Sequence, residues 1–158
     1  MAYGTDDGFA DWLDSLGISL PVSAPDLAVL RARGSDYIDA AFGARFKGVT
    51  TAVDQPNQWP RSGVVLNGRP LPDGLVPLAV VQAAYRAALA EGQGFSLSRT
   101  IDPTAPIVKR EKVDVIETEY FQPPANADAG VPVVAGLDGL LAPFLKPVNA
   151  RLIGAWVV

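Results

Sequence analysis

Paired carboxylates are this chain's nearest approach to a catalytic apparatus: Asp36 with Asp39, and Glu117 with Glu119. Two such groups at one site could exchange protons with a substrate, one as acid and the other as base. Asp7, Asp11 and Asp14 suggest a second chemistry, because at i, i+4 and i+7 they line one helical face with the hard oxygen donors that suit a divalent cation. Both readings lack their remaining parts. Carboxylates at these spacings are routine on solvated faces, and no second ligand-rich segment accompanies the aspartates. The chain contains no His and no Cys, which excludes a disulfide frame, a Cys or His zinc site, a thiolate nucleophile and a Ser-His-Asp triad. No glycine loop that could cradle a phosphate is present either. The expectation is a protein that is not an enzyme, with no catalytic residue, no metal and no cofactor.

Residues suited to recognition are more numerous. Gln58-Trp59-Pro60-Arg61-Ser62-Gly63 sits in a loop, and Trp and Arg are the residue types enriched at interface hot spots. Trp59 either anchors a partner or folds the loop back onto its own core. Arg86, with Tyr85 before it, stands in an otherwise apolar stretch, where it reads as an ion-pair donor within the chain or between subunits. Trp59, Arg61 and Arg86 are therefore the candidate subunit-interface residues. The run Lys109-Arg110-Glu111-Lys112 invites a nucleic-acid reading, but a solvated strand end accounts for it. Thirteen basic against 17 acidic residues give a net charge of −4. Since phosphate neutralisation supplies most affinity for nucleic acid, tight DNA binding is disfavoured.

The elements that must position these residues follow from pattern. A chain of 158 residues, 49% hydrophobic and 19% charged, fits one domain, while 14 Pro and 15 Gly imply abundant turns and extended connections. Thr5 is a plausible N-cap for a helix over residues 5–16 with Phe9, Trp12, Leu13 and Leu16 on one face, stopped by Gly17. A second helix over 25–46 starts near Pro25-Asp26 and buries Leu30, Tyr37, Ile38, Phe42 and Phe46, with Gly34 in the stripe permitting a close helix crossing. Residues 47–72 read as a long irregular loop. A third helix spans 73–91, strands are expected at 95–101 and 108–121, and a short fourth helix spans 133–143. A change of apolar face between Val115 and Ile116 predicts a bulge or a doubly buried strand there. The fold class is α+β, mainly α: a small helical bundle with a short antiparallel β element near 95–121. The domain is placed at 1–145, with an extended arm at 146–158.

Two segments are unusual. Leu75 to Ala90 (LVPLAVVQAAYRAALA) has no charge except Arg86 and so no water-facing side, yet it is too short and alanine-rich to span a bilayer. One face is expected beside Leu30, Tyr37 and Phe42. The small-residue face of Ala79, Ala83, Ala87 and Ala90 suits another helix, of this chain or of a neighbour. The second segment is the arm, where Leu152, Ile153, Trp156, Val157 and Val158 are apolar although termini are usually polar, so it is expected to dock on a partner. The opening residues have neither a basic region nor an apolar run, which predicts no signal peptide and no membrane anchor.

Taken in order, several motifs resemble the head-tail connector, or adaptor, proteins of tailed phages and prophages. They are Tyr3-Gly4-Thr5 with the Phe9/Trp12/Leu13 helix, Arg33-Gly34-Ser35-Asp36-Tyr37-Ile38, and Trp59-Pro60-Arg61. The apolar helix after Leu71-Pro72 and the strand from Val108 toward Glu119-Tyr120-Phe121 complete the set. Proteins that look like this also carry the label DnaT-like single-stranded DNA-binding protein. The resemblance thus implies two functions. As a connector, the chain would be a virion protein made in the host cytoplasm and placed at the head-tail interface. It would form a ring, twelvefold to match the portal, through which genome DNA passes as cargo. Its partners would be the portal protein, a tail-side connector or tail terminator protein, and copies of itself, with no membrane. As a single-strand binder, it would need a basic groove with exposed aromatics on which bases stack.

Overall fold

The computed structural model describes residues 2–97, 110–113, 116–119 and 134–147. The chain divides into two compact units, Met1–Leu97 with Val134–Val158, and Ser98–Val133. The first is mainly helical. Helix α1 (Asp6–Ser15) begins where the Thr5 hydroxyl accepts the Gly8 N–H at 3.0 Å, with Asp6 and Asp7 in the first turn, where the helix dipole favours carboxylates. Helix α2 (Leu27–Phe42) runs into a 3-10 turn at Gly43–Arg45, so the expected helix to residue 46 is tightened in its last turn.

Helix α3 spans Leu78–Gly92 and starts five residues later than the sequence pattern predicts. Pro77 has no N–H to offer and biases Val76 toward extended backbone, so the helix begins beyond it. Its apolar surface is covered largely by this chain. Val80, Ala83, Ala84, Ala87 and Ala88 are fully buried. The close approach expected at Gly34 is present: a Cβ there would stand 2.4 Å from the Ala84 carbonyl oxygen. Helix α4 (Leu137–Leu141), followed by a 3-10 turn at Ala142–Phe144, also packs against α3. It is shorter than the expected 133–143, beginning only after Gly136 in a left-handed conformation at φ +83°.

Residues 47–72, expected to be irregular, contain two miniature antiparallel pairs. Strands β1 (Val49–Thr50) and β2 (Arg61–Ser62) pair Val49 with Ser62, while β3 (Val65–Leu66) and β4 (Arg69–Pro70) pair Leu66 with Arg69. The β3–β4 turn is Asn67-Gly68, both at positive φ, the conformation that suits the twist of a two-residue hairpin.

The core has two clusters. Phe9, Leu13, Leu30, Tyr85 and Ala88 form one beneath α1. Tyr37, Ile38, Phe46, Trp59, Val80 and Leu141 belong to the other, larger one, at the α4 side. Leu97 is buried in it as well, but residues 95–97 form no strand, and the rest of the strand expected at 95–101 lies outside the described residues.

In the second unit, β5 (Arg110–Val113) and β6 (Ile116–Glu119) form an antiparallel pair, with Val113 opposite Ile116. The described part of the strand expected over 108–121 is thus two antiparallel strands, and Val115, where the change of face is expected, lies outside the described residues. The register sets Arg110 opposite Glu119 and Lys112 opposite Glu117, opposite charges at facing positions. The fold class is therefore mainly helical with short antiparallel strand pairs, as the sequence pattern indicates.

Candidate functional site

Trp59 and Arg61 are positioned by a polar network that ties the start of the chain to the 47–62 loop. Tyr3 donates its phenolic hydrogen to Asp39 Oδ1 on α2, and its hydroxyl accepts the Trp59 N–H at 3.1 Å. The other carboxylate oxygen of Asp39 accepts from Asn57 Nδ2 at 3.1 Å and from the Gln58 N–H at 3.0 Å. The Tyr3 N–H donates to Ser35 Oγ at 2.9 Å. Burial, then the hydrogen bond and charge of Asp39, push the Tyr3 hydroxyl well above its ordinary titration range.

Arg61 clamps both strands of this loop from inside. Its Nε donates to the Lys47 carbonyl at 2.8 Å, and Nη2 to that of Gly48 at 2.9 Å. Nη1 lies 3.1 Å from both the backbone and the side-chain oxygens of Gln58. The residue is only 7% exposed, and burial lowers its pKa. Trp59, 2% exposed, packs edge-on between Phe46 and Phe144 at centroid distances of 5.6 and 5.8 Å. Its buried indole N–H has no acceptor among the described residues, and the contacts described for the ring are packing contacts. Of the two readings open for Trp59, folding the loop onto its own core is the one this geometry matches.

Arg86 differs from its two companion candidates. It is exposed on α3 beside Gly136, where a Cβ would stand 3.5 Å from Nη1, and no carboxylate among the described residues pairs with it. The arm residues Leu152, Ile153, Trp156, Val157 and Val158 lie outside the described residues. Its root is described. Lys47 donates its N–H to the Phe144 carbonyl at 2.9 Å and Lys146 donates to that of Arg45 at 2.7 Å, bracketing an antiparallel bridge between Phe46 and Leu145. Phe46 and Leu145 point into the core. Arg45 and Lys146 lie opposite each other one step away; Arg45 is half-buried and 3.6 Å from Asp138, while Lys146 is exposed. Lys47, whose backbone pairs with that of buried Phe144, reaches back with its side chain to donate to the Pro143 carbonyl at 2.7 Å.

Asp36 and Asp39 do not converge as a catalytic dyad, since Asp39 is occupied by the loop while Asp36 is exposed; the side chains of Glu117 and Glu119 lie outside what the structure describes. Asp7, Asp11 and Asp14 are exposed along α1, and no metal-ligand cluster exists among the described residues. Nor is any described helix long and apolar enough to cross a membrane. Sequence reasoning missed the joint role of Tyr3 and Asp39 and the grouping of Arg45, Lys47 and Lys146, which depend on contacts between residues distant in the chain.

Comparison with known proteins gives one result. No curated protein and no solved structure matches the chain. A family model does, over residues 2–156, and across that span the chain belongs to the family described as "Putative DnaT-like ssDNA binding protein".

Proposed function

We propose that this chain is a structural adaptor of the tailed-phage head-tail junction, a ring-forming subunit that joins the portal and passes genome DNA as cargo. The observation that carries this reading is the rooted arm. The pairing of residues 45–47 with 144–146 fixes the departure point of an apolar segment whose Leu152, Ile153, Trp156, Val157 and Val158 suit docking by strand addition and pocket filling. Trp59 and Arg61 are used inside the fold, which makes them unavailable to bases and equally unavailable to the subunit contact expected of them, so Arg86 is the one of the three interface candidates left exposed. Portal, tail-side connector or terminator, and copies of itself are the partners this role requires. Electron microscopy of the chain mixed with portal rings tests it: coaxially stacked rings are expected, and free portal beside free chain would reject it.

The family's description favours a second reading, single-stranded DNA binding. Its physical demand is a basic groove with exposed aromatics. In the described unit Tyr3, Phe9, Tyr37, Phe42, Phe46, Trp59, Tyr85 and Phe144 are buried, Trp12 is half-buried beside the exposed Asp11, and Phe95 alone of the described aromatics is exposed. Submicromolar affinity for an oligonucleotide at physiological salt, falling steeply as salt is raised, would establish this second reading over the first.

A further inference from the structure

The run Lys109-Arg110-Glu111-Lys112 has no part in the helical unit, because Arg110 to Lys112 make up most of β5 in the second unit. Among the described residues that sheet has two strands, so each strand has one partner there. Strand alternation and the observed register sort its charges. Arg110 and Lys112 fall on one face of β5, and the residues opposite them on β6, Glu119 and Glu117, fall on the same face. On that face one strand is cationic and the other anionic. The second face sets Glu111 opposite Thr118 and Val113 opposite Ile116. Such a pair is incomplete by itself: two strands are marginally stable in water, and independence takes a third strand or packing against a helix. Ser98–Val133 is also shorter than the about 40 residues below which disulfides, a metal or association ordinarily supply stability. It contains neither Cys nor His, which removes a disulfide and a Cys or His metal site.

We infer that this strand pair adds to the same pair of a second copy of the chain, the acidic β6 of one copy beside the basic β5 of the next, in the register that already joins them within each copy. The inference rests on the adaptor reading for its biological setting. Charge decides the order of the strands. β5 beside β5 would set Arg110 and Lys112 against the same two cations, and β6 beside β6 would set Glu117 and Glu119 against their own kind; like charges directly opposite destabilise a pair. β6 beside β5 repeats Arg110 with Glu119 and Lys112 with Glu117 across the boundary, and keeps Val113 opposite Ile116. Edges charged only to prevent pairing repel a copy on both sides, whereas these two edges complement each other. Because they differ, the contact is head-to-tail. Repeated, it gives one continuous antiparallel sheet that closes into a ring when the rotation between copies allows.

Two experiments on the full chain test the contact. Arg110→Glu, Lys112→Glu, Glu117→Lys and Glu119→Lys together reverse both strands. Pairing inside each copy and between identical copies then stays complementary, while a wild-type edge beside a reversed one meets like charge. Wild type and reversed chain should each associate in sedimentation, and tagged wild type should capture the reversed chain at least about tenfold less well than it captures untagged wild type. Equal capture overturns the inference, as does a wild type that stays monomeric at its highest soluble concentration.

A chain without native Cys makes the register readable as well. In an oxidised mixture of Glu111→Cys and Thr118→Cys chains, a mixed disulfide dimer should form, because these positions face each other across the inferred boundary. Linkage mainly between two copies of the same variant overturns the inference, and so does no linkage. Rings that stack on portal without the cross-link reject this interface and leave the adaptor reading standing. Mixed dimers from a chain that does not join portal reject only the adaptor reading.

Discussion

Gly34 and Ala84 bring α2 and α3 together backbone to backbone: a methyl group on Gly34 would stand 2.4 Å from the Ala84 carbonyl oxygen and 2.7 Å from the Ala88 nitrogen. Neither obstacle is a flexible side chain that could swing aside. Gly34→Ala gains about 1 kcal/mol of helix propensity. Forcing the helices apart costs about 1–3 kcal/mol or more. The expected outcome is net destabilisation of about 1–2 kcal/mol in urea unfolding, whereas a variant as stable as the wild type would show that the crossing can relax.

That crossing was legible because an unfavourable glycine inside an apolar stripe demands a compensating contact. The two apolar clusters were also readable from 3.6-residue periodicity at Phe9, Leu13, Leu30, Ile38 and Phe46. The helix starts were harder, since Pro77 and Gly136 each delay a helix that the apolar pattern alone would begin earlier. Asn67-Gly68 is a hairpin signal that a reading of the whole 47–72 segment as one loop passes over. The Arg61 clamp left no signature. Its acceptors at Lys47 and Gly48 are main-chain carbonyls, which every residue type possesses.

For that reason Arg61 is a test of loop order rather than of charge. Arg61→Ala removes four donated contacts and leaves partly buried oxygens without their partner, with an expected cost of about 3 kcal/mol. Arg61→Lys should recover less than half of it, because one ammonium cannot reproduce the planar fork that reaches both sides of the loop. Thermal unfolding and protease cleavage within residues 50–58 provide the measurements. Equal stability of the lysine variant would show that the clamp is purely electrostatic.

Tyr3 gives the unit a dependence on alkaline pH. Its hydroxyl titrates higher in the folded chain than in the unfolded one, where the ordinary value is near 10. Below that value both states hold the proton, and the stabilisation from the Asp39 and Trp59 hydrogen bonds is fully present. As pH rises past it, the unfolded chain releases its proton first, so stability falls by up to about 1.4 kcal/mol per pH unit for this one group. Tyr3→Phe should be less stable near neutrality and show a flatter alkaline limb. Parallel wild-type and variant curves above pH 10 would place the dependence elsewhere.

Gly4 makes a comparable local prediction. It is held at φ +68°, and a Cβ there would meet the Tyr85 hydroxyl at 2.1 Å. That hydroxyl donates to the Thr5 carbonyl and accepts the Thr5 N–H, both at 3.1 Å, laying the opening residues across α3. Gly4→Ala should therefore cost about 2 kcal/mol or more through strain and displacement of Tyr85. Tyr85→Phe should cost about 1 kcal/mol through the lost hydrogen bonds. Urea unfolding of the two variants and their combination gives the coupling. Full additivity would mean that Gly4 and Tyr85 act independently.

The arm root allows folding and docking to be separated by where the chain is cut. Ending it after Pro147 keeps the Phe46–Leu145 bridge, both flanking backbone hydrogen bonds and the edge-on packing of Phe144 against Trp59. This truncation removes Leu152, Ile153, Trp156, Val157 and Val158, so it should unfold within about 0.5 kcal/mol of the full chain yet fail to join portal rings. Ending the chain after Pro143 also removes buried Phe144 and Leu145, exposing the Trp59 ring. A loss of about 3 kcal/mol or more is expected there, in the range of large-to-small core substitutions. If the longer truncation binds portal as the full chain does, the apolar arm is not the docking element. If it unfolds like the shorter one, residues 148–158 contribute to the fold itself, and their apolar character belongs to the core.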